Sequence, residues 1–176
     1  MARAKQKIQD AWSKSFLKKG VGRKPSHNFE VVQQSQVALV PTVHVSAAAI
    51  FNLEGEVLLA KRPEGKDLAG LWEFPGGKVK EGELPEAALI RELNEELGIQ
   101  VESSHVEPLT FVSCEKSIEG KNLLMYLFKV DRWKGKITAL EEQKFAWVKV
   151  GRLGDYADIM PQADVPMANT LMKMFK

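Results

Sequence analysis

The chain has 176 residues, 44% of them hydrophobic and 27% charged, with a formal net charge of +2. That is enough for one ordinary domain with its own core, and a single cysteine, Cys114, excludes an internal disulfide framework. No apolar run approaches the ~20 residues that a membrane span requires, and the N-terminus lacks the apolar core of a secretory signal, so the expectation is a soluble, cytoplasmic protein with no membrane partner.

Charge is unevenly spread. Residues 1–24 hold eight Lys or Arg against Asp10 alone, which leaves 17 basic and 22 acidic residues in the rest. A basic N-terminal extension, taken as 1–36, therefore precedes a mildly acidic domain at 37–176. The extension is open to several readings: a solvated arm, a contact for nucleic acid or an anionic surface, or an organellar presequence. Ile8, Trp12 and Phe16, at i, i+4 and i+8, would also suit an amphipathic helix packed on the domain.

Residues 43–51 read as a strand rich in small and branched side chains, followed by the turn signal Asn52-Leu53-Glu54-Gly55 and a second strand at 57–61, together a hairpin. A short extended piece at 71–74 ends at Pro75-Gly76-Gly77, where a sharp backbone turn is favoured. Residues 84–97 read as a helix, with Pro85 suited to its first turn and Gly98 to its C-terminal stop. Leu84 stands at the N-cap, where Ser, Thr, Asp or Asn would serve a free amide better. Strands are expected near 109–114 and 123–130, separated by residues 119–122, and again at 145–150. Helical spacing returns over 165–175 at Met167, Leu171, Met174 and Phe175. The fold class expected is α/β (α+β), a mixed sheet sandwiched between helices.

The helix at 84–97 carries the chemistry. At ~100° per residue, Glu92, Glu95 and Glu96 share an arc of about 100°, while Ile90, Leu93 and Leu97 point to the core. Like charges at i, i+4 repel, and gathering three carboxylates makes better sense where a divalent cation neutralises them. Hard oxygen ligands without His or Cys suit Mg²⁺, with Mn²⁺ able to substitute. Arg91, ~40° from Glu95 on the helical wheel, is placed to orient the acids or to pair with Glu83.

Gly77, Glu83, Arg91, Glu92, Leu93, Glu95, Glu96, Gly98 and Ile99 together match GX5EX7REUXEEXGU, with U aliphatic, at every specified position. By average residue usage, such a match arises by chance in about one chain in a million. The segment resembles the Nudix box, and the wider stretch 43–175 is similar to the MutT branch of Nudix hydrolases. Lys61-Arg62 and Leu71-Trp72-Glu73-Phe74-Pro75-Gly76-Gly77 look like the MutT lead-in, and Arg132-Trp133-Lys134-Gly135 like a family hairpin.

The resemblance implies the Nudix fold and a Mg²⁺-dependent nucleoside triphosphate pyrophosphohydrolase that releases a monophosphate and pyrophosphate. It implies Glu92, Glu95, Glu96 and Glu141 as metal ligands, with Glu142 as the runner-up to Glu141 and the Gly76 carbonyl as a backbone ligand. Glu92 is the candidate base; Arg91 and Glu83 complete the catalytic set. Arg62, Phe74, Lys121 and Asp164 are candidate substrate contacts, with a core role the default for Phe74. Asp164, in Pro161-Gln162-Ala163-Asp164, stands where MutT proteins often carry a base-reading Asn. An ionised carboxylate there only accepts hydrogen bonds; helix N-capping is its alternative role.

The foremost substrate implied is 8-oxo-dGTP, an antimutator's task linked to DNA replication and repair. Small pyrimidine-nucleotide hydrolases share a Gly-Leu-Trp-Glu-Phe lead-in and a Pro-Ala-Asp tail, which keeps CTP or dCTP as the alternative. An RNA pyrophosphohydrolase and a non-catalytic 8-oxoguanine-binding module remain as rivals. ADP-ribose and dinucleoside polyphosphate enzymes fit less well, since residues 114–116 hold neither Pro nor Tyr. A free nucleotide is the expected partner, with no stable nucleic-acid partner, and the chain is expected to be a monomer or homodimer.

Overall fold

The computed structural model describes residues 40–175. The basic extension, and with it the amphipathic spacing of Ile8, Trp12 and Phe16, lies outside the described residues.

Among the described residues, seven strands form two sheets. A mixed sheet has the order β4-β1-β6-β5, from β4 (Gly76–Lys78), β1 (Thr42–Ile50), β6 (Lys121–Val130) and β5 (Glu107–Ile118). An antiparallel sheet has the order β3-β2-β7, from β3 (Trp72–Glu73), β2 (Glu56–Lys61) and β7 (Lys144–Lys149). β1 runs parallel to β6 from Thr42↔Asn122 to Ile50↔Val130 and antiparallel to β4, with Ser46 opposite Gly77. β5 and β6 form a hairpin whose connection is only Glu119-Gly120, both at positive φ (49° and 75°), as a tight primed turn requires. Lys121 and Asn122, expected in the loop, are thus already strand.

The hairpin expected between β1 and β2 is corrected. Asn52 does close the turn: its N–H donates to the Glu56 carbonyl (3.0 Å), and its Oδ1 accepts from Glu54 and Glu56. One bridge follows, Phe51 to Val57, and the strands then part. β1 spends its backbone groups on β4 and β6, and β2 on β3 and β7.

Alternation along the strands feeds two cores. Ala48, Ile50, Leu58 and Phe128 pack with Leu89, Leu93 and Leu97 of helix α1 (Pro85–Leu97). Ala47, Ala49, Val57, Leu59, Phe74 and Leu127 pack with Met167 and Leu171 of helix α2 (Asp164–Met174). Helices therefore cover both faces of the sheet layer. α1 begins with Pro85 after an uncapped Leu84 and stops at Gly98 in the left-handed region (φ 67°), as expected. A 3₁₀ segment, Val150–Ile159, leads towards α2. Among the described residues, no helix is long and apolar enough to cross a membrane.

Candidate active site

The chain passes from one sheet to the other between β3 and β4, at Phe74-Pro75. The Pro75 carbonyl accepts the Ala48 N–H at 2.9 Å, which brings Gly76 hard against β1. A Cβ on Gly76 (φ 148°) would lie 2.1 Å from the Ser46 carbonyl oxygen, and one on Gly77 would lie 2.4 Å from Cδ of Glu92. Two glycines are thus what lets the acidic side of α1 close onto this crossover while Leu89, Leu93 and Leu97 are fully buried.

Arg91 organises the acids beside it. Its Nε and Nη2 each donate to a different oxygen of Glu83 at 2.9 Å, and Nη1 donates to Glu92 Oε1 (2.6 Å) and Glu95 Oε2 (3.2 Å). Nη2 also reaches the Lys78 carbonyl at 3.2 Å. Glu83 accepts the Lys80 N–H at 3.0 Å as well. The Arg91 guanidinium and this amide hold the Glu83 carboxyl down to about 2, and the same pairing raises Arg91. Both expectations for Arg91, orienting the acids and pairing with Glu83, describe what it touches.

Glu96 lies deeper. Burial, with repulsion from Glu73, Glu141 and Glu92, pushes its carboxyl up to about 8, even though it accepts a bond from the Gly76 N–H. Glu73 is also raised, by burial, despite its two bonds from Arg62 Nη1 at 2.8 and 2.9 Å. Arg62 is held further by its Nε, which donates to the Asp67 carbonyl at 2.6 Å.

Asp164 is the first residue of α2, and its side chain makes no helix-capping bond, so the N-cap reading is corrected. Its Oδ1 instead accepts the Phe74 N–H at 2.9 Å. Burial, at 2% exposure, pushes its carboxyl up to about 8. At that value the neutral form outweighs the carboxylate at pH 7, and a neutral carboxyl can donate as well as accept. Phe74 places its side chain in the core, at 2% exposure. Lys121 starts β6 and pairs with Glu119 at 3.5 Å. By the register of β1, it lies five residues along the sheet from the level of Gly77, about 16 Å away at ~3.3 Å per residue.

Glu141 arrives from the loop before β7, close enough to repel Glu96. Its N–H donates to Oε1 of buried Gln143 at 3.1 Å, and its carboxylate pairs with Lys66. Glu142, the runner-up, is exposed on a left-handed residue (φ 62°). As they stand, no three acidic, His or Cys side chains among the described residues are gathered tightly enough to hold an ion. Arg91 bonds Glu92 and Glu95, Lys66 pairs with Glu141, and the Gly76 N–H bonds Glu96. The donor set nevertheless fits a hard divalent cation, being all carboxylate oxygen, and the upward shift of Glu96, owed first to burial and then to the carboxylates of Glu73, Glu141 and Glu92, is one that a bound cation would oppose.

Glu73, Lys66 and Gln143 were not singled out from sequence. Glu73 had a signal, an acid inside an apolar lead-in; Lys66 had none, since its partner lies 75 positions away, whereas Gln143 bonds Glu141 only two residues before it.

The NUDIX domain family model matches residues 40–170. The chain is 35% identical over 127 residues to the CTP pyrophosphohydrolase of Escherichia coli K12, covering 72% of this chain and 90% of that protein. It is 30% identical over 132 residues to the 8-oxo-dGTP diphosphatase of the same organism, covering 75% and 98%. A solved MutT structure, from work on the Aliivibrio salmonicida and Vibrio cholerae proteins, superposes with a TM-score of 0.63 at 33% identity, over 76% of this chain and 99% of that one. With its complete glutamate set on the helix that follows the glycine crossover, the chain belongs to the Nudix hydrolases, as a MutT-like enzyme acting on phosphorus-containing anhydrides.

Proposed function

We propose that the protein is a Mg²⁺-dependent nucleoside triphosphate pyrophosphohydrolase, acting foremost on 8-oxo-dGTP among free cytoplasmic nucleotides, as a monomer or homodimer. The observation that carries the reading is that Glu92 closes on Gly77 and Glu96 accepts the Gly76 N–H, while Glu141, from a loop 45 residues later, lies near enough to repel Glu96. In this reading Glu92, Glu95, Glu96, Glu141 and the Gly76 carbonyl hold the metal. Bound there, a divalent cation neutralises charge on the bridging and leaving phosphate oxygens.

The residues do the rest. Arg91 holds Oε1 of Glu92, which leaves Oε2 to take the proton of the water that attacks phosphorus. The phosphoanhydride bond breaks, and nucleoside monophosphate and pyrophosphate leave. Arg91 is itself fixed by Glu83, so the base keeps one orientation through the cycle.

Asp164 is the proposed base reader; Phe74 serves it from the core through its N–H, and Arg62 and Lys121 would have to leave Glu73 and Glu119 to reach the nucleotide. A neutral carboxyl presents one donor beside one acceptor. That pair complements O6 and N7–H of 8-oxoguanine, whereas guanine offers two acceptors there and mismatches it. The same pair also complements N3 and the amino group of cytosine. This, with the similarity to a CTP pyrophosphohydrolase, supports CTP or dCTP as the second reading.

Pyrophosphate release with Mg²⁺ across 8-oxo-dGTP, dGTP, CTP and dCTP tests both. The expected result is a kcat/KM for 8-oxo-dGTP at least about 100-fold above dGTP, the scale of a site that hydrogen-bonds what the analogue lacks, with that ratio lost in Asp164→Ala. Cytidine nucleotides outrunning 8-oxo-dGTP would overturn the first reading in favour of the second.

A further inference from the structure

Three cations stand at the acidic cluster, and they are bound differently. Arg91 makes five donor contacts, four to the carboxylates of Glu83, Glu92 and Glu95 and one to the Lys78 carbonyl. Arg62 is committed to Glu73 and to the Asp67 carbonyl. Lys66 differs: its ammonium pairs with the single carboxylate of Glu141, with both side chains part-exposed at 49% and 39%. It also lies near enough to Glu73 to bear on that acid electrostatically.

The backbone beneath Lys66 is braced. The Lys66 carbonyl accepts the Ala69 N–H at 3.1 Å, and Arg62 ties both ends of the loop, accepting from Gly70 (3.1 Å) and donating to Leu71 (2.9 Å). The four-carbon stem, with its rotatable bonds, is the flexible link between this braced backbone and Glu141.

We propose that Lys66 is an exchangeable phosphate contact: its ammonium holds Glu141 in the nucleotide-free enzyme, and moves to the terminal phosphates of the substrate once a divalent cation takes that carboxylate. This rests on the reading of Glu141 as a metal ligand. Ammonium and divalent cation compete for one carboxylate, so Lys66 lowers the metal affinity of the empty site. A part-exposed cation released at the same place then meets the most highly charged end of a nucleoside triphosphate. A point charge on a flexible stem can make that exchange where a guanidinium locked by four carboxylate bonds cannot.

The test measures Mn²⁺ binding to the nucleotide-free protein by electron paramagnetic resonance, and inorganic pyrophosphate binding to the Mn²⁺-loaded protein by calorimetry, in wild type, Lys66→Met, Lys66→Arg and Glu141→Gln. Lys66→Met is expected to bind Mn²⁺ about two- to fivefold more tightly, the scale of an exposed ion pair, and pyrophosphate about tenfold more weakly. Lys66→Arg should restore most of both. Glu141→Gln should weaken Mn²⁺ binding whatever residue stands at 66. If Glu141→Gln weakens Mn²⁺ binding but Lys66→Met changes neither affinity, the role of Lys66 is refuted while Glu141 stands as a ligand. If Glu141→Gln leaves Mn²⁺ binding unchanged, the ligand reading falls and takes this proposal with it.

Discussion

Replacing Asp164 by Asn isolates the consequence of burying a carboxyl. The side chain is 2% exposed and accepts the Phe74 N–H, a bond that the Asn amide oxygen can keep. Burial raises the carboxyl from its ordinary value of 3.8 to about 8. The folded protein therefore holds a proton that the unfolded chain gives up. The stability this group contributes is fully present below pH 4 and is lost as pH rises through about 8. The slope in that window is up to about 1.4 kcal/mol per pH unit. Asn does not titrate. Asp164→Asn should therefore gain on wild type steadily from pH 4.5, by roughly 3 kcal/mol at pH 7, before levelling above pH 8. Glu96 shifts in the same direction but stands in both proteins, so their difference isolates position 164. Urea unfolding of both proteins without added metal, at half-unit intervals from pH 4.5 to 9, measures it. A difference that stays constant over that range would mean that Asp164 titrates normally in the fold, and the burial argument would be wrong.

The remaining expectations concern the glutamates. Gly77→Ala puts a methyl 2.4 Å from Cδ of Glu92, so kcat should fall about 100-fold; kcat within a few-fold of wild type would show that Glu92 need not stay there. Arg91→Lys keeps the charge but cannot fork across Glu83 while reaching Glu92 and Glu95. It should lower kcat more than tenfold, with KM and the circular dichroism spectrum little changed. Glu96, raised to about 8, must release its proton to bind a cation. Mg²⁺ affinity of the nucleotide-free protein should therefore climb with pH up to about 8, by as much as tenfold per unit, with a proton released into buffer on binding. Calorimetry in two buffers of different ionisation enthalpy reads both, and an affinity flat from pH 6 to 8 would count against that proton.

What could be read from sequence was local. The helix at 84–97 announced itself through its period, Pro85 and Gly98, and the box residues lie within 23 positions, so one helix and one turn place most of them. Arg91 and Glu83 are likewise joined over eight positions. The split into two sheets was hidden, because a turn such as 52–55 shows that the chain reverses but not which strands its neighbours will pair with. Asp164 was legible as a special residue but not as a neutral one, since its protonation depends on burial beside Phe74, 90 positions away. The Lys66–Glu141 pair spans 75 positions, and nothing in either segment names the other.

The two kinds of cation at the cluster have different physical roles. The loop bearing Glu141 is tied to the end of α1 by its backbone, Thr138 N–H donating to the Leu97 carbonyl (3.0 Å) and Leu140 N–H to that of Glu96 (3.1 Å), so the glutamates are held together against their mutual repulsion. Arg91 ties Glu83, Glu92 and Glu95 together through several bonds at once, although its single charge offsets only one of the three. Breaking them costs more than any single contact returns, so this part of the cluster keeps its shape through a catalytic cycle. Lys66 neutralises Glu141 through one part-exposed pair, of a kind worth about 1 kcal/mol or less. An incoming divalent cation can displace it readily. Fixed geometry at the attacking water and an exchangeable contact at the departing phosphates are what hydrolysis with release of pyrophosphate demands, since the first must be identical in every turnover and the second must let go.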